Sequence, residues 1–262
     1  MTNKTLSTNA DKALLARFDA DERYSAVFPG LRREALPHLV RHVDLLGREG
    51  VVIYSALTSD TVAVVAREQI DYFRGLGQAF EWKAFAHDPP SDLVERLAAE
   101  GFAIDEPEAV MVLDVESVRV VSDGTQDIRR VTDPALLDDV ASIKQRVYVD
   151  RASNIVDQLR FELTHAPDYL SVYVAYVDDT PAATAWIRFP PTSAFASLWG
   201  GSTLPELRNR GLYTSLLASR IDEARRRSFR YVTVDAGRMS RPILEKRGFR
   251  LLTYATACTC QA

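Results

Sequence analysis

The sequence predicts an α/β protein whose two halves follow a similar order of strands and helices. The chain has 262 residues, enough for two ordinary domains. Hydrophobic residues make up 47% and charged residues 26%, a balance typical of soluble globular proteins. In both halves, short apolar or alternating tracts typical of strands alternate with stretches of helical periodicity. We therefore expect two consecutive domains, residues 1–120 and 121–262.

The first half contains three predicted helices and three predicted strands. An apolar run at 51–57, an alternating tract at 80–85 and a second apolar run at 109–115 predict strands. Helical spacing covers 11–26 and 61–76, and a further helix follows Pro89-Pro90 and runs through 99. The polar stretch 117–126, with a Ser-Asp-Gly turn signal at 122–124, then predicts the boundary between the domains.

The second half begins with a predicted strand at 127–131. A helix follows, with Asp133 as its N-cap and Pro134 in its first turn, and another helical stretch covers 154–163. Strands are predicted at 169–177, 182–189, 195–203 and 231–236, with a closing strand or pair at 249–260. A long helix covers 211–227 and a short one covers 240–247.

Both halves contain a late helix that ends in Gly-Phe, at Gly101-Phe102 and at Gly248-Phe249. A tandem duplication would explain this shared ending. Glycine also caps helices in unrelated proteins, so two independent caps would explain it equally well.

Charge and composition limit the classes of partner. The net charge is −4, which argues against nucleic-acid binding. No run of about 20 apolar residues indicates a membrane span, and the N-terminus lacks a signal-peptide core, so we expect a cytoplasmic protein. Cys258 and Cys260 lack the paired partners of a metal site, and we expect them to be small buried or edge side chains on the last strand.

The segment 204–217 carries the clearest sign of chemistry. Gly211 lets the backbone turn tightly just before a long helix, whose N-terminal N–H groups and dipole suit a phosphate. Seven arginines and three acidic residues between Pro205 and Arg230 make this stretch positive in a negative chain. These features alone fit either a polyphosphate-binding loop or an ordinary glycine turn before a solvated helix.

The same segment resembles the acetyl-CoA-binding motif of the GNAT superfamily, [RQ]-x-x-G-x-[GA]. Arg208 matches the first position and Gly211 the glycine, whereas Tyr213 stands where the motif has a small residue. The resemblance extends from about residue 127 to 260 through the strand 231–236 and the Gly-Phe ending of the helix at 240–249.

The resemblance implies a fold and a cofactor site. The fold would be two tandem GNAT-like domains, each a mixed, mostly antiparallel sheet flanked by helices. The backbone of Ser202, Thr203 and Leu204 would pair with the pantetheine arm of acetyl-CoA. The diphosphate would be held by the motif and the amides after it, namely by Arg208, Asn209, Arg210, Gly211, Leu212, Tyr213 and Thr214.

The first half keeps the order of elements but not the motif. At 57–65 it has neither glycine nor arginine, and Asp60 stands where an anion would lie. This half resembles a degenerate GNAT domain that has lost cofactor binding. A role as a protein-interaction domain is a further reading.

Acetyl transfer to an amine needs a proton acceptor and a donor for the departing thiolate. Asp235, at the end of a predicted central strand, is the candidate base, or else it caps the following helix. GNAT enzymes often place a tyrosine before the Glu-Lys of the late helix as general acid, and here Leu244 occupies that position. Ser240 and Tyr213 are the candidate substitutes. We expect Glu206, Glu162 and His165 at the surface.

The resemblance therefore implies transfer of an acetyl group from acetyl-CoA to a primary amine of an unknown small molecule or peptide, by direct attack in a ternary complex. Leu244 keeps a second reading open, a non-catalytic acyl-CoA-binding regulatory module. We expect a monomer or homodimer that needs no metal, nucleic acid or membrane.

Overall fold

A computed structural model describes residues 8–117, 126–147 and 152–261, with 152–154 by backbone only. Its helices and strands, in chain order, are α1 (Asn9–Phe18), β1 (Leu31–Ala35), β2 (Leu39–Asp44), β3 (Glu49–Ser55), α2 (Val62–Gly75), β4 (Ala79–Phe85), α3 (Leu93–Ala99), β5 (Ala103–Ile104), β6 (Glu108–Asp114), β7 (Asp127–Val131), α4 (Leu137–Val147), α5 (Ala152–His165), β8 (Leu170–Val177), β9 (Thr180–Arg188), β10 (Phe195–Thr203), α6 (Leu212–Arg226), β11 (Tyr231–Ala236), α7 (Arg241–Lys246) and β12 (Arg250–Cys260). A π-helical segment, Asp19–Tyr24, continues α1.

The chain forms two compact units. Unit 1 comprises Met1–Met111, Asp235–Ile243 and Arg250–Ala262, and unit 2 comprises Val112–Val234 and Leu244–Phe249. The closing strand β12 thus belongs to unit 1. The predicted boundary at 120/121 lies outside the described residues.

The sheet of unit 1 has the strand order β1-β2-β3-β4-β12, with β5 also pairing with β12. All of these pairs are antiparallel except β3 with β4, which are joined by the crossover helix α2. The core lies between this sheet and helices α2 and α3, where Phe73 stacks on Phe80 with ring centroids 4.4 Å apart. A Cβ on Gly50 would lie 2.1 Å from the Phe73 ring, so only glycine admits that ring at this point of β3.

The sheet of unit 2 has the strand order β11-β10-β9-β8-β7. Its strands are also antiparallel except for one pair, β10 with β11, which are joined by the helix α6. Helices α4 and α5 contribute Leu137, Ile143 and Leu159 to the core cluster of this unit. Asp133 accepts a hydrogen bond from the Ala135 N–H at 2.8 Å, which confirms the predicted N-cap, although the turn that it caps is a 3₁₀ turn before α4.

Each unit therefore has a mixed, mostly antiparallel sheet with helices, as predicted. The predicted strands 195–203 and 231–236 coincide with β10 and β11. Three strands were not predicted, namely β1, β2 and the two-residue β5. Charged residues interrupt the pattern of β1 and β2. Arg41 of β2 is buried all the same, since it donates hydrogen bonds to Glu34 and Gln69 and packs 3.2 Å from the centroid of the Tyr72 ring.

Candidate functional site

In unit 2, strand β10 parts from β11 part-way along its length. The register between them runs from Phe195↔Tyr231 to Ser197↔Thr233 and ends there among the described residues, whereas β10 continues to Thr203. On its other edge, β10 pairs with β9 to its end, with an irregularity between Trp199 and Ser202. The later part of β10 thus offers one backbone edge that β11 does not cover.

Buried groups hold the irregular backbone of β10 in place. Gly200 has φ +66, and a Cβ there would lie 1.9 Å from the Trp186 ring, so the backbone rests directly on the indole. Arg220, from α6, donates hydrogen bonds to the carbonyls of Trp186 at 3.2 Å and Trp199 at 3.4 Å. Burial lowers the pKa of Arg220 to about 10. These contacts fix the shape of the strand where a ligand could lie along it.

The loop after β10 has a backbone suited to binding an anion. A 3₁₀ turn, Pro205–Leu207, leads into Arg208, which is extended, and then into two left-handed residues, Asn209 with φ +62 and Gly211 with φ +83. Left-handed residues within a turn point successive N–H groups toward a common concavity, where anions bind. Nothing lies within 4 Å of the position of a Cβ on Gly211, so the space over the glycine is open.

The N-terminus of α6 carries no cap. No side chain caps it, and the first hydrogen bond of the helix joins the Ser215 N–H to the Gly211 carbonyl at 3.0 Å. The N–H groups of Leu212, Tyr213 and Thr214 have no acceptor among the described residues. They lie at the positive end of the helix dipole, and an oxyanion would satisfy them.

Only some of the arginines between Pro205 and Arg230 lie exposed at the loop. Arg220 is buried, Arg225 binds the Val115 carbonyl at 2.7 Å, and Arg227 pairs with a carboxylate one turn earlier at 2.7 Å. Arg208 and Arg210 are exposed beside the bare helix end. The loop, its amides and these two guanidinium groups together fit a diphosphate.

The equivalent loop of unit 1 is closed. Between β3 and α2, the N–H groups of Thr61 and Val62 donate to the Thr58 carbonyl at 3.0 and 3.3 Å, and the Thr61 hydroxyl accepts from the Thr58 N–H at 3.0 Å. Ser59 contributes its carbonyl to Arg96 at 3.1 Å, and Asp60 is exposed. The N–H groups of Thr61 and Val62 at the start of α2 are therefore already hydrogen-bonded, and the loop presents a negative side chain.

The strand before that loop, β3, also has a backbone carbonyl that is already hydrogen-bonded. The register of β3 with β4 ends at Val52↔Trp82 among the described residues, just as that of β10 with β11 ends early. Here, however, buried Arg23 donates to the Ile53 carbonyl at 3.1 Å and forms a two-pronged ion pair with Asp88 at 2.7 Å. In unit 1, an arginine side chain therefore already occupies a backbone carbonyl at the point where β3 and β4 separate.

Tyr213 lies against the candidate cofactor strand. Its ring approaches Gly201 of β10 so closely that a Cβ there would be 3.1 Å from the ring. Burial raises the pKa of Tyr213, which keeps its hydroxyl protonated and able to donate. That hydroxyl forms no hydrogen bond with the described residues. The Tyr213 ring thus lies against β10, and its hydroxyl is protonated.

Asp235 and Ser240 belong to unit 1, and both have partners there. Asp235 forms an ion pair with Lys83 of β4. Burial acts to lower the pKa of Lys83, but the carboxylates of Asp235 and Glu81 outweigh it and raise the pKa, so the ammonium form is retained. The Ser240 hydroxyl donates to the Gly237 carbonyl at 3.2 Å.

The other residues that the sequence analysis singled out are either buried or lie at the surface. Leu244 is fully buried, and Glu206 is exposed and pairs with Arg146. His165 is exposed, as predicted, but the prediction for Glu162 was wrong. Glu162 is only 2% exposed, because it forms a two-pronged ion pair with Arg188 of β9 at 3.0 Å.

The thiols of both cysteines have raised pKa values, so little thiolate forms at neutral pH. Cys258 is fully buried on β12, and burial together with the charges of Glu81 and Asp105 raises its pKa to about 12. Burial also raises the pKa of Cys260.

Within the described ranges, no cluster of three or more His, Cys, Asp or Glu could hold a metal ion. No helix in that part of the chain is long and apolar enough to cross a bilayer.

Lys144 is the group near β10 that sequence reasoning missed. It lies on α4, is 8% exposed, and donates a hydrogen bond to the Ser202 hydroxyl at 2.9 Å. Its ammonium lies 4.9 Å from the centroid of the Trp186 ring. A single lysine in an amphipathic helix gives no sign of such burial, because the sequence alone does not show which strand faces that helix.

The sequence and the fold resemble known proteins. Residues 137–249 match the family model described as the Acetyltransferase (GNAT) family. No curated protein matches the sequence.

Three solved structures resemble the chain over almost its whole length. A GCN5-related N-acetyltransferase from Kribbella flavida superposes with a TM-score of 0.64 at 15% identity, covering 99% of this chain and 97% of that one. A tandem GNAT protein from the clavulanic acid biosynthesis pathway gives 0.60 at 13% identity, covering 96% and 94%. A functionally unknown conserved protein from Staphylococcus epidermidis ATCC 12228 gives 0.68 at 12% identity, covering 90% and 96%. The predicted tandem fold is thereby confirmed, including a GNAT-like N-terminal half.

Proposed function

Because residues 137–249 carry a GNAT domain, we propose that this protein transfers an acetyl group from acetyl-CoA to a primary amine of a small molecule or peptide. The observation that carries the proposal is the uncapped start of α6 beside the left-handed residues Asn209 and Gly211. The N–H groups of Leu212, Tyr213 and Thr214 would hold the diphosphate, with Arg208 and Arg210 adding charge.

The open edge of β10 would take the rest of the cosubstrate. The backbone of Ser202, Thr203 and Leu204 would pair with the amides of the pantetheine arm, as an added strand pairs with a sheet edge. With the diphosphate at α6, the arm would run back along β10, and the thioester would lie at the Ser202 end of this stretch. The acceptor amine would then attack the thioester carbonyl directly.

Positioning would provide most of the rate. Holding amine and thioester together can contribute about 7–11 kcal/mol to lowering the barrier. A general acid contributes about 10²–10⁴-fold, and the thiolate is a tolerable leaving group because ordinary thiols have a pKa of about 8.5. Tyr213 is the proton donor best supported by its surroundings. The roles of Ser240 as an alternative donor and of Asp235 as base stay predictions from the sequence.

Unit 1 would not bind acetyl-CoA. The N–H groups of Thr61 and Val62 are bonded to Thr58, Asp60 would repel a phosphate, and Arg23 occupies the Ile53 carbonyl where the strands part. We infer that this unit is a degenerate copy of the domain.

The second candidate function is acyl-CoA binding without transfer, favoured by the fully buried Leu244 in place of a tyrosine. Thiol release, measured with acetyl-CoA and a panel of small amines and lysine- or amino-terminal peptides, separates the two. The proposal predicts amine-dependent release of many CoA molecules per chain. Binding of acetyl-CoA with no amine in the panel raising release above the amine-free rate would favour the regulatory module.

A further inference from the structure

Arg247 brings a further guanidinium group to the start of α6. The residue follows α7 directly, and its Nη2 atom lies 3.5 Å from the Thr214 hydroxyl. Thr214 is one of the three residues of α6 whose N–H groups have no acceptor among the described residues. Both residues belong to unit 2. Arg247 therefore adds positive charge to the helix start from a segment outside the loop 205–211.

The backbone around Arg247 is held by buried neighbours. Leu244 is fully buried, and Phe249 is 3% exposed. The Leu244 carbonyl accepts hydrogen bonds from the N–H groups of Arg247 at 2.9 Å and Phe249 at 3.1 Å. Gly248, with φ +90, has the left-handed conformation that often follows the end of a helix. The Arg247 side chain thus extends from a fixed point beside the start of α6.

No carboxylate pairs with Arg247 in the part of the chain that the structure describes. Its guanidinium contacts the Thr214 hydroxyl, and the side chain is partly exposed. The arginines at the other end of α6 differ, because Arg225 binds the Val115 carbonyl and Arg227 pairs with a carboxylate one turn earlier. A guanidinium without a carboxylate partner can donate paired hydrogen bonds to a phosphate.

The flank of α6 on which Arg247 lies indicates which phosphate it would meet. Successive residues of a helix point about 100° apart. Tyr213 packs against Gly201 of β10, so Thr214 and Arg247 lie on another flank of the helix start. The pantetheine arm would leave the diphosphate along β10, and the adenosine would leave it on a different side. The 3′-phosphate of CoA is carried by the ribose that is attached to the diphosphate, and it would lie close to Arg247.

We propose that Arg247 binds the 3′-phosphate of acetyl-CoA and makes the site select CoA over its 3′-dephospho form. The inference rests on the proposed function, because it needs the diphosphate at the start of α6. Arg208 and Arg210 would serve the diphosphate, and the 3′-phosphate would accept hydrogen bonds from the Arg247 guanidinium. Charge-assisted hydrogen bonds of this kind contribute about 10-fold or more to affinity.

Calorimetry with acetyl-CoA and with acetyl-3′-dephospho-CoA tests this proposal. We expect the wild type to bind acetyl-CoA about 10-fold more tightly than the dephospho form. Arg247→Met should remove the preference by lowering the affinity for acetyl-CoA alone, and an unchanged affinity for the dephospho form would show that the site is folded. Lys246→Met removes a positive charge from the neighbouring exposed residue and should keep the affinities of the wild type.

Four results would overturn the proposal while leaving the proposed function in place. Equal affinity of the wild type for both ligands, or a preference that Arg247→Met retains, would show that Arg247 does not bind the 3′-phosphate. An equal loss for both ligands in Arg247→Met would assign the residue to the diphosphate or to the fold. A loss of preference in Lys246→Met as large as in Arg247→Met would indicate a general effect of charge. Absence of acetyl-CoA binding by the wild type would instead contradict the proposed function together with this inference.

Discussion

Replacing Gly211 with glutamate should abolish acetyl-CoA binding while leaving the fold intact. The residue has φ +83, so any L side chain costs about 1–2 kcal/mol in folding, but nothing lies within 4 Å to obstruct it. A carboxylate about 4 Å from one unit charge costs about 1 kcal/mol in bulk water and about 4 kcal/mol at an effective dielectric constant of ~20. Against the two charges of a diphosphate, the penalty is about 2–8 kcal/mol, or a loss of affinity of about 30-fold or more.

Gly47 provides the matched control for this change. It has φ +74 in the turn between β2 and β3, and nothing lies within 4 Å of its Cβ position either. Gly47→Glu should therefore carry the same backbone strain and charge as Gly211→Glu and keep the affinity of the wild type. Isothermal calorimetry on the three proteins, after matched thermal melts, measures the difference. Equal affinities in all three, or equal losses in the two variants, would refute a diphosphate site at Gly211.

Three further predictions concern other groups. A Cys258→Ser/Cys260→Ser double variant should transfer acetyl groups at the rate of the wild type, because both thiols have raised pKa values; loss of activity with the fold intact would indicate a covalent acetyl-cysteine. Tyr213→Phe should lower turnover by about 10²-fold at nearly unchanged acetyl-CoA affinity, and Ser240→Ala should change it little since its hydroxyl binds the Gly237 carbonyl; a large loss of affinity in either would remove support for a substitute acid. Burial lowers the pKa of His42 from 6.5 to about 4, so the unfolded state takes up its proton first as pH falls. Stability should be full above pH 6.5 and fall by about 3 kcal/mol down to pH 4, and urea unfolding of His42→Gln should lack this component; an unchanged pH dependence would contradict it.

The order of elements was largely predictable because each one carries its own periodicity. Strands β10 and β11 consist largely of apolar and β-branched residues between turn signals and were predicted to the residue. Strand β1 was missed because charged residues interrupt its pattern. Strand β2 was missed because Arg41 and His42 are polar residues on buried positions, each stabilised by a partner distant in sequence. The local sequence pattern does not show which distant residues these side chains will contact.

The candidate site also has one part that was predictable from the local sequence and another part that was not. The tight turn at Gly211 before α6 was predictable, since glycine and the following helix start specify its geometry within a few residues. The contacts of Asp235 with Lys83 and of Lys144 with Ser202 join elements more than 50 residues apart, and only the fold brings them together. The contact of Arg23 with the Ile53 carbonyl in unit 1 has no local signature either.

A crystal structure of the chain with acetyl-CoA tests the central claim most directly. The geometry predicts one molecule per chain, with its diphosphate oxygens on the N–H groups of Leu212, Tyr213 and Thr214 and its pantetheine amides paired with β10 from Ser202 to Leu204. Density at the loop between β3 and α2, a second molecule in unit 1, or a diphosphate bound away from the start of α6 would contradict it.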